Sequence, residues 1–239
     1  IVNLTIPDLN LNMNRIYPFK KLVRGKKLGV IEKLGIQYSS NFKNTVSVRD
    51  TLLFKSSTLD KFQNGVQHNI PVSTSFNAFK YFNVSPSFTY KERWYFEAIN
   101  RYWDESAYYD YEKEAFAYGR LYTDTTSGFN RVYDYNVSAG VSTTLYGFYQ
   151  FQASPIKLVR NSGLIAIRHK MDPSVSFSIR PDFSEGKWKG PDGFYDEYIN
   201  GVGDTVKYSR YEGSVYGVPG QGKYGSLSFG INNNLEMKV

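Results

Sequence analysis

The sequence predicts an all-β fold, an antiparallel transmembrane β-barrel in which this chain is an arc of about eight strands of a larger outer-membrane barrel. Three observations predict it: long apolar/polar alternations, a 17% share of aromatic residues, and connections that alternate between short and long. No apolar run exceeds four residues. A membrane-spanning helix needs about 20 apolar residues and is therefore not expected.

Period-two alternation is the main signal. From residue 227 to residue 239 every odd position except Asn233 is apolar, while the even positions hold Ser, Gly, Asn, Glu and Lys. Because successive side chains of a strand point to opposite faces, this pattern predicts one apolar and one polar face. The same alternation covers residues 133–145, 36–48, 70–78 and 9–13.

The length of these alternations favours a membrane protein. Strands of globular sandwiches have about 5–6 residues, whereas transmembrane strands need about 9–11. Several of the alternations run over at least 11 residues. In a lipid-embedded barrel the apolar face meets hydrocarbon and the polar face meets a watery lumen. A soluble β-sandwich is the alternative.

Connection lengths predict the domain organisation. Strands near residues 68–79 and 82–90 are joined by almost nothing, whereas long loops are expected near residues 91–129 and 181–206. Outer-membrane barrels combine short periplasmic turns with long outer loops. We therefore expect residues 1–239 to be a single segment of an outer-membrane β-barrel domain. The chain starts without a methionine or a signal peptide, and we expect it to be cut from a longer protein.

Three prolines interrupt predicted strands: Pro71, Pro86 and Pro173. Proline gives no N–H to a ladder, so each is expected at a bulge, an edge or a strand end. Side-chain parity is expected to switch across them.

Composition and motifs argue against an enzyme. The chain has no cysteine and two histidines, and it lacks the sequence patterns of zinc proteases, phosphate-binding loops and serine hydrolases. His169 and Asp172 would suit a barrel hydrolase, but three positions along a strand place them on opposite faces. The sequence therefore predicts no catalytic residue, no cofactor and no metal site.

The aromatic and basic clusters indicate where the chain lies relative to the membrane rather than a catalytic site. Trp94, Tyr95 and Trp103 are predicted to form an aromatic belt at the membrane interface, because an apolar ring with a polar tip suits that boundary. A self-packed loop and a sugar-binding platform are the alternatives. Residues 20–27 hold five basic side chains. We expect a solvated loop or a contact with phosphorylated lipid headgroups there, and no nucleic-acid partner.

Several motifs, in their order along the chain, resemble a known family. They lie at residues 6–9, 14–20, 34–39, 81–88, 208–212 and 233–239. The most specific are Ile167-Arg168-His169, Pro173-Ser174-Val175-Ser176-Phe177 and Arg180-Pro181-Asp182-Phe183. Together they resemble the LPS-assembly outer-membrane protein LptD, in its Bacteroidota form, over nearly the whole chain. The match is to the central part of the β-barrel.

The resemblance implies a place and partners. LptD is a large barrel in the outer membrane of Gram-negative bacteria, preceded by a periplasmic jellyroll. It receives lipopolysaccharide from periplasmic Lpt bridge proteins and passes it to the outer leaflet, with an LptE-like plug lipoprotein inside the barrel. The implied partners are lipopolysaccharide, these proteins and outer-membrane lipids. The lateral gate joins the first and last strands of the family's barrel, so no gate residue is assigned here.

The alternation of side chains along the strands predicts which residues contact the two parts of lipopolysaccharide. If parity continues from Ile167, the cations of Arg168, Lys170 and Arg180 face the lumen and can bind lipopolysaccharide phosphates by charge-assisted hydrogen bonds. The apolar face is expected to contact acyl chains through Val137, Val141, Phe229 and Ile231. A generic outer-membrane pore or uptake barrel and a soluble carbohydrate-binding β-sandwich remain the alternatives.

Overall fold

A computed structural model describes residues 1–20, 29–52, 55–110, 114–151 and 165–238. Strands make up 71% of it, which confirms the all-β fold class. The main sheet is antiparallel and has nine strands, in the order β1-β2-β3-β5-β6-β8-β11, with β4 paired to β5 and β7 paired to β8. Within the described residues β1 does not pair with β11, so the sheet is open.

The strands are long and the helices short. The strands are β1 (Val2–Ile16), β2 (Gly35–Val48), β3 (Gln63–Ser73), β4 (Phe76–Ala78), β5 (Phe82–Asp110), β6 (Ala115–Ser142), β7 (Leu145–Gln150), β8 (Ala166–Arg180), β9 (Tyr195–Ile199), β10 (Thr205–Ser209) and β11 (Tyr224–Lys238). Strands β9 and β10 form a separate two-stranded sheet. Short 3₁₀ helices cover Asp50–Leu52, Ser56–Lys61 and Gly186–Trp188. Over the described ranges, no helix has the length and apolar character to cross a membrane.

The pairing of β11 with β8 confirms the alternation at the end of the sequence. All 15 residues of β11 pair in one unbroken register, from Tyr224 opposite Arg180 to Lys238 opposite Ala166. Directly opposed residues share a face, and neighbours along the strand lie on opposite faces. Ser228 therefore lies on the polar face and Phe229 on the apolar face.

The strand prolines do not switch parity, which corrects that prediction. The register is the same on both sides of Pro71, Pro86 and Pro173. Pro71 pairs with β5 but has no partner in β2. The carbonyls of Pro86 and Pro173 accept from the N–H groups of Thr74 and Thr143, in the gaps between β3 and β4 and between β6 and β7. The missing proline N–H groups fall where a neighbouring ladder is already interrupted, so the strands continue.

The prediction of a long loop at residues 91–129 is wrong. Strand β5 continues to Asp110 and β6 begins at Ala115, so these residues form a β-hairpin. Register shifts follow Tyr95 and Asp104 in β5. Because each shift changes which side chains share a face, the hairpin shows no sustained alternation in the sequence.

The connections differ between the two ends of the sheet. Residues 79–81 make a tight turn at one end, where Phe79 and Lys80 have positive φ values of 49° and 68°. The β5–β6 hairpin and residues 181–223 lie at the opposite end, called here the hairpin end. From residue 97 to residue 110 the hairpin adds 14 residues, or roughly 46 Å at 3.3 Å per residue. This asymmetry is typical of outer-membrane barrels, whose long loops face outward.

Residues 181–223, called here the cap segment, fold back onto the sheet instead of forming an open loop. The main hydrophobic core lies between this segment and strands β5 and β6. Its buried members are Tyr95, Ala98, Val132, Phe183, Phe194, Tyr195 and Tyr211. The rings of Phe183 and Tyr135 meet edge to face at 5.3 Å. The cap segment thereby covers the part of β6 beyond its pairing with β8.

Tyrosine hydroxyls fix the cap segment across the sheet. Tyr95 donates to the carbonyl of Gly217 at 2.6 Å, and the Tyr216 hydroxyl lies 2.7 Å from the carbonyl oxygen of Asn41 in β2. The segment starts at the end of β8 and therefore crosses β6, β5 and β3 before it reaches β2. These contacts make it part of the inner wall of the arc.

The aromatic core gives a stability prediction. Phe183 has no exposed surface, and Phe183→Ala should lower the free energy of unfolding of the cap segment by about 3–5 kcal/mol, because a large buried ring leaves a cavity. Hydrogen exchange of the cap-segment amides in the intact protein measures this change. Phe79→Ala is the matched control, since that ring is 87% exposed, and it should change stability by less than about 0.5 kcal/mol. Equal effects of the two substitutions would contradict the described packing.

Candidate functional site

The sheet has one continuous polar face. Cross-strand pairs link Asn10 to Asn41, Ser87 to Ser138 and Ser138 to Ser178 on the same side. The hydroxyls of Ser87 and Ser138 are 2.6 Å apart, and the Asn136 amide donates to the Ser178 hydroxyl at 2.9 Å. Small uncharged groups therefore cover this face over most of its width.

The opposite face is apolar and exposed. Phe229 is 73% exposed and Val137 is 44% exposed. Other exposed members of this face are Leu9, Leu11, Met13, Phe88, Val141, Val175, Phe177, Ile179, Leu227 and Ile231. So many exposed apolar side chains on neighbouring strands are unfavourable in water and favourable against lipid hydrocarbon.

The cap segment and the polar face line a partly open cavity of about 470 Å³, called here the roofed cavity. Its lining comes from β5, β6, β8 and the cap segment: Thr89, Lys91, Arg93, Asp134, Asn136, Ser138, Ser178, Arg180, Val218 and Gly220. Three of these side chains are cationic and one is a carboxylate, so the cavity has a formal excess of two positive charges.

Arg93 is the most deeply placed cation of the cavity. It is 7% exposed, and its Nη1 contacts Asp134 Oδ2 at 2.8 Å. Its Nε is buried and has no hydrogen-bond partner within the described structure. A buried donor without a partner is costly, and within the described residues Asp134 is the one carboxylate that pairs with this guanidinium.

Lys91 and Arg180 carry the remaining positive charge. Lys91 pairs across the strands with Asp134, whose carboxylate is bound to Arg93. Arg180 donates to the carbonyl of Gln221 at 3.4 Å, and its Nε is also buried without a partner in the described part of the chain. Gly220 packs directly on the Arg180 guanidinium, where any side chain would collide with it.

The three predicted phosphate contacts do not form one site. Arg168, Lys170 and Arg180 do share the polar face, since their partners in β11 are Glu236, Asn234 and Tyr224. Lys170 and Arg180 are ten residues apart on one strand, however, which separates them by roughly 33 Å. Only Arg180 lines the roofed cavity.

Acidic neighbours neutralise the other two predicted contacts. Arg168 lies 3.7 Å from Glu236, and Lys170 lies 3.0 Å from Asp172. The register of β8 with β11 places these cations on the polar face of the sheet, and the sequence alone did not show their ion pairs. Their charge is therefore less available to a phosphate than that of Lys91 or Arg180.

The structure separates the three residues of the predicted aromatic belt. Trp94 lies on the apolar face and contacts the rings of His68 at 4.3 Å and Phe129 at 5.7 Å. Tyr95 lies on the opposite face and is 1% exposed in the core, so it cannot reach a membrane interface. This corrects the prediction, because neighbours along a strand point to opposite faces.

Trp103 is also placed away from Trp94. Its ring packs between Gly119 in β6 and Gly201 in the turn between β9 and β10, where a Cβ on either glycine would lie 2.6 Å from the ring. The tryptophan thus joins the hairpin to the cap segment. His68 and Phe129, which the sequence analysis did not single out, contact Trp94 instead.

The alternative His–Asp pair is not formed. His169 and Asp172 lie on opposite faces, since β8 keeps its register between them. His169 Nε2 contacts Asn233 Oδ1 at 3.3 Å, and Asp172 accepts from Thr144 at 2.6 Å. Of the basic run at residues 20–27, only Lys20 lies within the described residues.

Sequence reasoning missed three of the charged residues that line the cavity. Lys91, Arg93 and Asp134 were assigned to a loop or to the polar pattern without a role. Lys91 and Arg93 continue the odd-numbered polar positions that begin at Ser87 and Thr89. Continuing the alternation of β5 for four residues beyond Thr89 would have placed both side chains on the polar face.

Tyr216 connects the cap segment to the polar face and gives a pH prediction. Burial raises the pKa of its hydroxyl to about 12, with a smaller contribution from the charge of Asp8. The unfolded pKa is about 10, so docking favours the neutral phenol. This contribution to stability is complete below pH 10 and is lost as the pH rises towards 12.

Trp188 fluorescence measures this release, because its ring packs 4.7 Å from Phe183 in the core. In a variant with Trp94 and Trp103 replaced by Phe, the emission should shift to the red between pH 10 and pH 12. Tyr216→Phe should reduce the shift. An emission that does not change up to pH 12 would contradict the proposed contribution of Tyr216.

Comparison with known proteins gives one family. A family model described as LptD protein matches residues 1–239, which is the full length of the sequence. No curated protein and no solved structure matches the chain.

Proposed function

Because the chain belongs to the LptD protein family, whose role is lipopolysaccharide transport and assembly at the outer membrane, we propose that it translocates lipopolysaccharide and inserts it into the outer leaflet. It does so as one segment, residues 1–239, of a barrel wall in the outer membrane of a Gram-negative bacterium. The family acts in transport and assembly rather than in catalysis.

The separation of the two faces is the observation that carries this proposal. Lipopolysaccharide has apolar acyl chains and a hydrated, anionic saccharide. An apolar outer surface that includes Val137 and Phe229 suits the acyl chains, and a polar inner surface that includes Ser138 and Ser228 suits the saccharide. One wall can therefore accommodate both parts of the lipid on opposite sides.

The cap segment divides the inner surface. It covers the polar face at the hairpin end, from β8 to β2. The polar face at the opposite end, with Arg168 and Lys170, is not covered by it. We place an LptE-like plug lipoprotein against this uncovered region, and the periplasmic Lpt bridge proteins supply lipid to the barrel from the same end.

An aromatic cluster on the apolar face, near the hairpin end, supports contact of this part of the sheet with the membrane surface. Trp94, with its neighbours His68 and Phe129, forms an aromatic cluster on the apolar face, between the apolar band and the projecting hairpin. Aromatic rings prefer this depth at the membrane–water boundary. We therefore retain Trp94 as a residue of the interfacial belt and leave Tyr95 and Trp103 out of it.

Site-specific photo-crosslinking in cells tests the proposal. The full-length protein would carry a photoreactive amino acid at Ser228 or, as the matched control one position along the strand, at Phe229. We expect a stronger saccharide-containing lipopolysaccharide adduct at Ser228 than at Phe229, because only Ser228 faces the lumen. Immunoblotting for lipopolysaccharide on the purified protein measures the adduct.

Two results would contradict the proposal. Absence of an adduct at Ser228 in a protein shown to be folded in the outer membrane would favour a generic pore or uptake barrel. Solute conductance in lipid bilayers without dependence on lipopolysaccharide would support that alternative. Recovery of the full-length protein from the soluble fraction would end the barrel interpretation.

A further inference from the structure

The roofed cavity has the composition of an anion site that the fold alone does not require. A barrel wall needs a polar inner face, and the small residues Ser, Asn and Thr already provide it. The cavity adds Lys91, Arg93 and Arg180, of which only Arg93 has a carboxylate partner in the described structure. Placing unpaired cations side by side costs free energy unless a ligand or solvent compensates them.

We propose that the roofed cavity binds the phosphate group of a phosphorylated sugar, with Lys91, Arg93 and Arg180 as its cationic contacts. The inference rests on the proposed function, since the saccharide of lipopolysaccharide is the source to which we assign this group. It names a discrete binding site on the polar face, where the proposed function requires only a hydrated surface.

Guanidinium groups from two strands, β5 and β8, line the same cavity and indicate an anionic ligand. The Nε atoms of Arg93 in β5 and Arg180 in β8 are both buried without a hydrogen-bond partner in the described structure. The remainder of the Arg93 side chain is held in place by Asp134 at 2.8 Å. A phosphate has several acceptor oxygens, and charge-assisted bonds from guanidinium groups are the strongest contacts available to it.

Neutral groups in the lining suit the sugar part. The Ser178 hydroxyl accepts from the Asn136 amide at 2.9 Å, which leaves its own proton free to donate into the cavity. Thr89 and Ser138 add further hydroxyls. The volume of about 470 Å³ falls in the range of roughly 300–1,000 Å³ typical of small-molecule sites.

The roof makes the site depend on the cap segment. Gly220 packs against the Arg180 guanidinium, and the Gln221 carbonyl accepts from the same guanidinium at 3.4 Å. The cap segment thus sets the direction of the Arg180 side chain. Of the three cations Arg93 is the buried one, and its shielding from bulk water strengthens its attraction to an anion.

Ligand titration of the full-length protein, purified in detergent with its natural partners, tests the inference. The probes are glucose 1-phosphate, glucose and inorganic phosphate, and isothermal titration calorimetry measures their binding. We expect saturable binding of glucose 1-phosphate that weakens with added salt, and none of glucose. Lys91→Gln should weaken binding about tenfold, since it removes one charge-assisted contact.

Lys170→Gln is the matched control. Lys170 lies on the same polar face but outside the cavity, so its removal should leave binding unchanged. Arg180→Gln is a second test variant and should also weaken binding about tenfold. Thermal unfolding of each variant at the same midpoint as the natural protein would show that the loss is not due to misfolding. Equal loss with Lys170→Gln and Lys91→Gln would overturn the site.

Competition distinguishes the source of the phosphate. Displacement of glucose 1-phosphate by lipopolysaccharide, but not by dephosphorylated lipopolysaccharide, would support the assigned source. Binding of inorganic phosphate as tight as that of glucose 1-phosphate would overturn the sugar specificity. Absence of saturable glucose 1-phosphate binding would overturn the inference as a whole. A lipopolysaccharide adduct at Ser228 in that same protein would leave the proposed function intact, so the two failures can be told apart.

Discussion

The rest of the structure depends on one constraint: alternate side chains along each strand stay on the same face, and so do their partners on neighbouring strands. Up to Tyr95, opposed residues share a face from β2 to β11, so a single shift in β6 or β8 would mix the apolar and polar surfaces. The β1–β2 ladder has two register shifts, after Thr5 and after Met13. Pro71, Pro86 and Pro173 respect this constraint because each lies where a neighbouring ladder is interrupted. Beyond Tyr95, where two register shifts occur, the strands project past the apolar band and the constraint is weaker.

The cap segment covers part of the polar face of the sheet and forms a hydrophobic core with it. Aromatic packing around Phe183 and the hydroxyl contacts of Tyr95 and Tyr216 attach it to strands that are far apart in the sequence. Burial of these rings is the main source of core stability, since the apolar face of the sheet is left for lipid. The same attachment places Val218 and Gly220 in the lining of the cavity that Lys91 and Arg180 also line.

Local patterns allowed much of the fold to be predicted from the sequence, and distant contacts account for what was missed. Strand β11 and its two faces follow from alternation, because its 15 residues pair with β8 in one unbroken register. The β5–β6 hairpin was mistaken for a loop because bulges disturb its period. Alternation along β8 predicts that Arg168 and Lys170 share one face of the sheet, but it does not predict their ion pairs with Glu236 and Asp172. The contact between Phe183 and Tyr135 depends on the tertiary fold and has no local signal.

Placement of the two faces in the membrane is the central claim, and lipid-phase fluorescence quenching tests it most directly. The chain has no cysteine, so single cysteines at Val137 and Ser138 can each carry one fluorescent label in the full-length protein. Brominated lipids should quench the label at Val137 strongly and the label at Ser138 little, because only the first faces hydrocarbon. Equal quenching at both positions, or stronger quenching at Ser138, would contradict the assignment of the polar face to the barrel interior.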